Sequence, residues 1–177
     1  MNRETKNLVL SALLIAVGVI LPFITMQIPE IGNMLLPMHI PVILCGFLCG
    51  GPYGFVVGLI LPLLRSILFG MPIMMPAAAA MAPEMAVYGL VTGILYQKLK
   101  YRKFGIYITL VTAMIAGRIV WGVASIMVFS HLGNTFTWKL YAMNGYINAI
   151  PGIVLQLILI PILVKRLRMA RRTAVAL

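Results

Sequence analysis

Long apolar runs, broken only by short polar or basic stretches, dominate the chain. Each run approaches the roughly 20 residues that a helix needs to cross a bilayer's hydrocarbon. Of 177 residues, 62% are hydrophobic and only 10% charged, against about a quarter charged in soluble domains. Six spanning helices would use roughly 120 positions, which leaves too little chain for a second soluble domain. The reading is therefore all-α: one polytopic membrane domain over residues 1–177, multi-pass in the cell membrane.

Uninterrupted hydropathy places spans at about 7–24, 37–50, 53–69, 77–97, 105–130 and 144–164. The first resembles a signal peptide, but Pro22, Phe23 and Ile24 stand where a small-residue cleavage site would fall, so it reads as retained. The second and third runs are short and are joined at Gly50-Gly51-Pro52. The alternative for them is a single broken, re-entrant element. Charge supports the count of six. The chain has 14 Lys and Arg against 3 acids, and the cations lie between the apolar runs. With six spans and both termini cytoplasmic, one side collects Arg3 and Lys6, then Lys98, Lys100, Arg102 and Lys103, then Lys165, Arg166, Arg168, Arg171 and Arg172. An odd count would put a basic cluster on the outer side, against the positive-inside rule.

Ionisable side chains inside a span are expensive and need a partner or an aqueous cavity. Three are expected there: Arg65, Glu84 and Arg118. Depth counted along the third and fourth spans from their outer turn brings Arg65 within reach of Glu84, so the two are expected to pair, either to neutralise charge inside the bundle or as part of a substrate-binding site. Arg118 then has no acid of its own. A permanently protonated planar fork suits a carboxylate, and Trp121, three residues on, shares its helix face. The pair reads either as a seat for an anionic, partly apolar small molecule or as an arginine satisfied by backbone groups. On the first reading, removing Arg118 abolishes carboxylate binding and leaves the protein folded.

Further candidates line the same side. Asn144 and Asn148 fall at i, i+4 of the sixth span, with Gln156 two turns along the stripe; such amides bind a ligand or tie helices together. Tyr88 lies one turn beyond Glu84. His39 and Asn33 stand at the mouth of the second span, where a histidine serves equally as a helix-end hydrogen-bonding residue. Ala12 and Ala16 give small-xxx-small spacing in the first span, with Ser11 and Gly18 beside them, a surface for close approach of a helix in this chain or in a partner. Cys45 and Cys49, one helical turn apart in an apolar run, read as packing residues.

Several chemistries lack their residues. The dipeptide Gly-Lys never occurs, so there is no P-loop. His39 and His131 lack zinc-ligand spacing, no G-x-S-x-G elbow is present, and Glu84 has no second carboxylate for acid–base work. No catalytic residues, metal site or cofactor are expected. An autonomous carrier or channel, and an intramembrane enzyme, are the alternatives of different class.

The run from Leu36 to Pro72, LPMHIPVILCGFLCGGPYGFVVGLILPLLRSILFGMP, followed by AMAPEMAVYG and AGRIVWG, resembles the substrate-binding (S) component of energy-coupling factor (ECF) vitamin transporters. The likeness extends over nearly the whole length. It implies a subunit that binds a water-soluble vitamin outside with high affinity, under the segments Thr25–Leu36, Gly70–Pro76 and His131–Met143. It also implies a membrane scaffold subunit, docked on Ala12 and Ala16, and two cytoplasmic ATPases that bind the ATP. The S component is expected to topple in the membrane and so carry its site inward. The sequence is most similar to pantothenate-type members, and the surplus cation at Arg118 agrees with a carboxylate substrate. Pyridoxine or hydroxymethylpyrimidine ranks second; riboflavin, biotin and folate stay open.

Overall fold

A computed structural model describes residues 2–25, 34–133, 137, 143 and 147–176, excluding the side chains of residues 24, 25, 168 and 170–176. The described residues are built from helices: α1 (Arg3–Ile20, continued by a 3-10 turn Leu21–Thr25), α2 (His39–Cys49), α3 (Gly51–Phe69), α4 (Ala79–Leu99, entered through a wide turn Met74–Ala78), α5 (Gly105–His131) and α6 (Ile150–Ala176). This is the all-helical membrane domain expected from hydropathy. Five stretches are long and apolar enough to cross a membrane: Arg3–Phe23, Gly51–Phe69, Met74–Leu99, Gly105–His131 and Ile150–Leu167.

The second of the six expected spans is a shorter apolar helix. The 11 residues of α2 rise only about 16 Å, half the hydrocarbon thickness. Two features end the helix early. Gly50, at φ +104, takes a backbone conformation that residues with a Cβ rarely adopt, and Pro52 then occupies the first turn of α3. The segment is nonetheless the most enclosed in the protein. Every residue of α2 except Leu48 is buried, so its apolar surface faces neighbouring helices on all sides.

Contacts along the helices fix their relative directions. Asn7 Nδ2 donates to the Cys49 carbonyl at 3.4 Å, and Ser11 Oγ lies 3.4 Å from Cys45 Sγ, so α1 and α2 run antiparallel. Between α3 and α4 the approach is backbone to backbone. A Cβ built on Gly89 would fall 2.1 Å from the Gly54 carbonyl oxygen, one on Gly93 2.0 Å from Gly51 N, and one on Gly58 2.2 Å from the Met85 carbonyl oxygen. Gly46 of α2 joins the seam, its added Cβ falling 2.5 Å from the Gly89 carbonyl oxygen. Lipid gives helices no hydrophobic reason to associate, so close packing of bare backbone supplies the cohesion. Around it lies a core of Ile43, Val57, Leu61, Met85, Leu110, Ile160 and Val164.

Alternating directions gather Arg3, Lys6, the turn 100–104 and Lys165 at one end, here called the basic end. The starts of α2 and α6 lie at the opposite end, where Gly152 fits against the backbone of Met34 and Leu35.

The glycine seam yields a prediction. Gly89→Ala has only backbone to push against, so its cost falls at the upper end of the overpacking range, about 3 kcal/mol. Thermal unfolding in detergent should show a large drop in Tm, and an unchanged Tm would mean the helices stand further apart.

Candidate functional site

Glu84 is the meeting point of the polar interior. It sits one turn inside α4, 1% exposed, with its carboxylate among three side chains. Arg118 Nη1 of α5 approaches Oε1 at 3.0 Å. The Tyr88 hydroxyl, one turn along α4, donates to the same oxygen at 3.1 Å. His39 Nε2, from the first residue of α2, stands 3.8 Å away, too far for a hydrogen bond and close enough for an ion pair if the ring were protonated.

Each group is positioned by local chain geometry. Tyr88 can lie flat against α5 because Gly117 has no side chain; an added Cβ there would meet the Tyr88 ring at 2.6 Å. The same glycine brings Arg118, its neighbour in sequence, onto the face of α5 turned to Glu84. His39 is held at its helix start by a 3.1 Å bond from its amide to the Leu36 carbonyl. Leu36 itself has φ +49, a left-handed conformation that costs a bulky residue about 1–2 kcal/mol. The His39 ring packs edge-on to Tyr88 with centroids 5.2 Å apart. Trp121 shares the Arg118 face as its spacing suggested, with the guanidinium carbon 5.9 Å from the ring centroid.

Two expectations are corrected. Arg65 does not pair with Glu84: its Nη1 donates to the Val19 carbonyl, and its guanidinium lies between Phe23 and Phe69, 5.2 and 5.5 Å from their centroids. Those rings themselves meet edge to face at 5.0 Å, so Arg65 ties the end of α1 to the end of α3. Arg118, expected to have no acid, holds the one that Arg65 was assigned. A surplus cation therefore no longer argues for a carboxylate substrate.

The expected amide stripe is also altered. Helix α6 begins at Ile150, so Asn148 belongs to the preceding turn, where its amide donates to the Met143 carbonyl at 2.9 Å. Gln156 is 2% exposed. Asn33 and Asn144 lie outside the described residues, as do most of the segments 25–36 and 131–143. Sequence reasoning gave no weight to Gly117 or to Thr109, which is fully buried on α5. The charge pairing was within reach of a count along the second hairpin. Glu84 and Arg118 each stand roughly 15 residues from the turn at 100–104, about 22 Å of helix on either arm.

An orphaned imidazole gives the cluster its character: among the described residues, His39 Nδ1 and Nε2 are buried without a hydrogen bond. Thr109 Oγ1 on α5 and Gln156 Nε2 on α6 share that state. A buried polar atom left unmatched costs about 1–3 kcal/mol, which a ligand or water with complementary atoms would recover. No three His, Cys, Asp or Glu side chains among the described residues come together as metal ligands.

On α1 the small residues divide between two faces. Ser11 and Gly18 are buried toward α2 and α3, whereas Ala12 and Ala16 are exposed, flanked by exposed Leu8, Val9, Leu13 and Ile20. Among the described residues, the alanine pair is not consumed by packing.

Residues 6–164 match the model of the family described as ECF transporter, substrate-specific component. The match spans most of the chain, and the protein belongs to that family. It is thus the substrate-binding part of a transporter and not an enzyme. Neither curated proteins nor solved structures give a match.

The pairing at Glu84 changes what Arg118→Ala should do. Rather than leaving a folded protein, it strands a buried carboxylate, at a cost of about 3 kcal/mol. Pairing it with Glu84→Gln should restore much of the loss in a detergent-unfolding assay. Equal stability of single and double variants would show that the two groups do not interact.

Proposed function

We propose that this chain is the vitamin-capturing subunit of an ECF importer, with its site in the polar cluster of His39, Glu84, Tyr88, Arg118 and Trp121. The observation that carries the reading is a buried imidazole, His39, with neither nitrogen hydrogen-bonded, beside a buried ion pair in a member of the substrate-specific family. Buried polar atoms without partners are rare in finished interiors and common where a ligand completes them. In this reading the basic end faces the cytoplasm with both termini, and the cluster opens to the outside. Segments 25–36, 70–76 and 131–143 cover the bound vitamin. A scaffold subunit with two ATPases docks on the exposed Ala12–Ala16 face, and toppling of the body carries the site inward.

For the substrate we propose pantothenate, on the likeness of residues 36–72 to pantothenate-type members. The Arg118–Glu84 ion pair favours a second reading, an uncharged heterocycle such as pyridoxine or hydroxymethylpyrimidine, because it leaves the arginine already neutralised. Native mass spectrometry of the purified chain separates them by the mass of the retained vitamin. Pantothenate supports the first reading, a pyridine or pyrimidine the second, and no saturable ligand at all refutes both.

The docking face gives its own prediction. Replacing Ala12 or Ala16 by Trp should reduce ATP-driven uptake by the assembled transporter more than about tenfold, while vitamin affinity stays within about twofold. Uptake into liposomes holding the wild-type chain alone should not run against a gradient. Normal uptake by the Trp variants would remove α1 from the interface.

A further inference from the structure

Charge balance in the cluster points to a role for His39 that pairing alone does not assign. Arg118 and Glu84 cancel, and a neutral His39 leaves the cluster with no net charge. A carboxylate entering beside them would leave one uncompensated negative charge in a low-dielectric site, which is strongly disfavoured. The imidazole can correct this. In its neutral form it has one donor and one acceptor nitrogen, and neither has a hydrogen bond although the ring is only 1% exposed. Protonated, it has two donors: one facing Glu84 Oε1 at 3.8 Å, the other free for the carboxylate.

We propose that the site takes an anionic substrate together with one proton, which His39 accepts from solvent as the substrate binds. One N–H bond forms on the imidazole with a proton taken from solvent, and it breaks, returning the proton, when the substrate leaves. The inference rests on the carboxylate reading above.

No other titratable group among the described residues competes for this role. On α4, Glu84 and Tyr88 face the ring, with Arg118 of α5 behind Glu84. On α3, Arg65 is turned to Val19. On α1, Arg3, Glu4 and Lys6 stand at the far end of α2, beside Cys49. On α6, Lys165 and Arg166 lie near the basic end, and Gln156 cannot titrate. Cys45 and Cys49 occupy the other half of α2, Cys45 against Ser11.

The sign follows from linkage. Binding takes up a proton, so affinity tightens as pH falls. The dependence approaches about tenfold in Kd per pH unit over the window in which the ring is neutral in the empty protein and protonated in the loaded one. Outside that window affinity is flat.

The test is calorimetry of the full chain in nanodiscs with D-pantothenate, in phosphate and in Tris at one pH inside that window. Because the two buffers differ in ionisation enthalpy, their heats report protons taken up. The expected result is close to one proton per pantothenate. Pantothenol, with a hydroxyl in place of the carboxylate, should take up none. His39→Gln should abolish both uptake and pH dependence, and His131→Gln, at an exposed histidine, should change neither. Tight pantothenate binding without uptake overturns the role of His39 and leaves the substrate reading standing. Uptake that persists in His39→Gln also overturns it. Absence of pantothenate binding to wild-type protein, beside tight binding of pyridoxine, defeats the substrate reading and this inference with it.

Discussion

A carboxylate enclosed among helices, with an arginine from the facing helix against it, organises the interior of this protein. Glu84 has almost no exposure, and hydrocarbon offers an ion no solvation of its own. Arg118 at 3.0 Å and Tyr88 at 3.1 Å answer that demand. Both depend on a residue with no side chain: Gly117 lets α4 and α5 approach until Tyr88 lies on bare backbone. Charge compensation and helix packing are therefore one arrangement. The same arrangement leaves His39 beside the pair with neither nitrogen hydrogen-bonded, which makes it the reactive corner of an otherwise balanced cluster.

Around that cluster the molecule separates its tasks by surface. The seam of Gly46, Gly54, Gly58, Gly89 and Gly93 holds α2, α3 and α4 at backbone contact, where dispersion and weak Cα–H···O contacts substitute for a hydrophobic driving force. Arg65, fixed by the Val19 carbonyl and two phenylalanine rings, fastens α1 to α3 away from Glu84. Helix α1 has a buried face at Ser11 and Gly18 and an open one at Ala12 and Ala16. One helix thereby serves internal cohesion on one side and leaves small residues open on the other.

The class of fold was legible because hydropathy over some 20 residues is a strong, additive signal. The short second run, expected over 37–50 with a turn at Gly50-Gly51-Pro52, is α2 over His39–Cys49. What hydropathy did not distinguish is its setting: a segment enclosed by other helices reads like one in lipid. The members of the polar cluster were legible residue by residue, since Glu84, Arg118, His39, Tyr88 and Trp121 all stood out as polar or aromatic positions in apolar surroundings. Their partnerships were not. Depth counting ranks residues along the membrane normal and says nothing of which helix face they occupy, so it gave Glu84 to Arg65 and left Arg118 without an acid. The glycine seam was present as Gly54-x-x-x-Gly58 and Gly89-x-x-x-Gly93, a spacing that identifies close helix contact without naming the helices that meet.

An experimental structure of the chain with its vitamin bound tests the central claim most directly. The account predicts that Glu84 stays against Arg118 and that polar atoms of the vitamin come within hydrogen-bonding distance of His39. A vitamin held elsewhere, with His39 still unmatched and Arg118 turned away from Glu84, would contradict it.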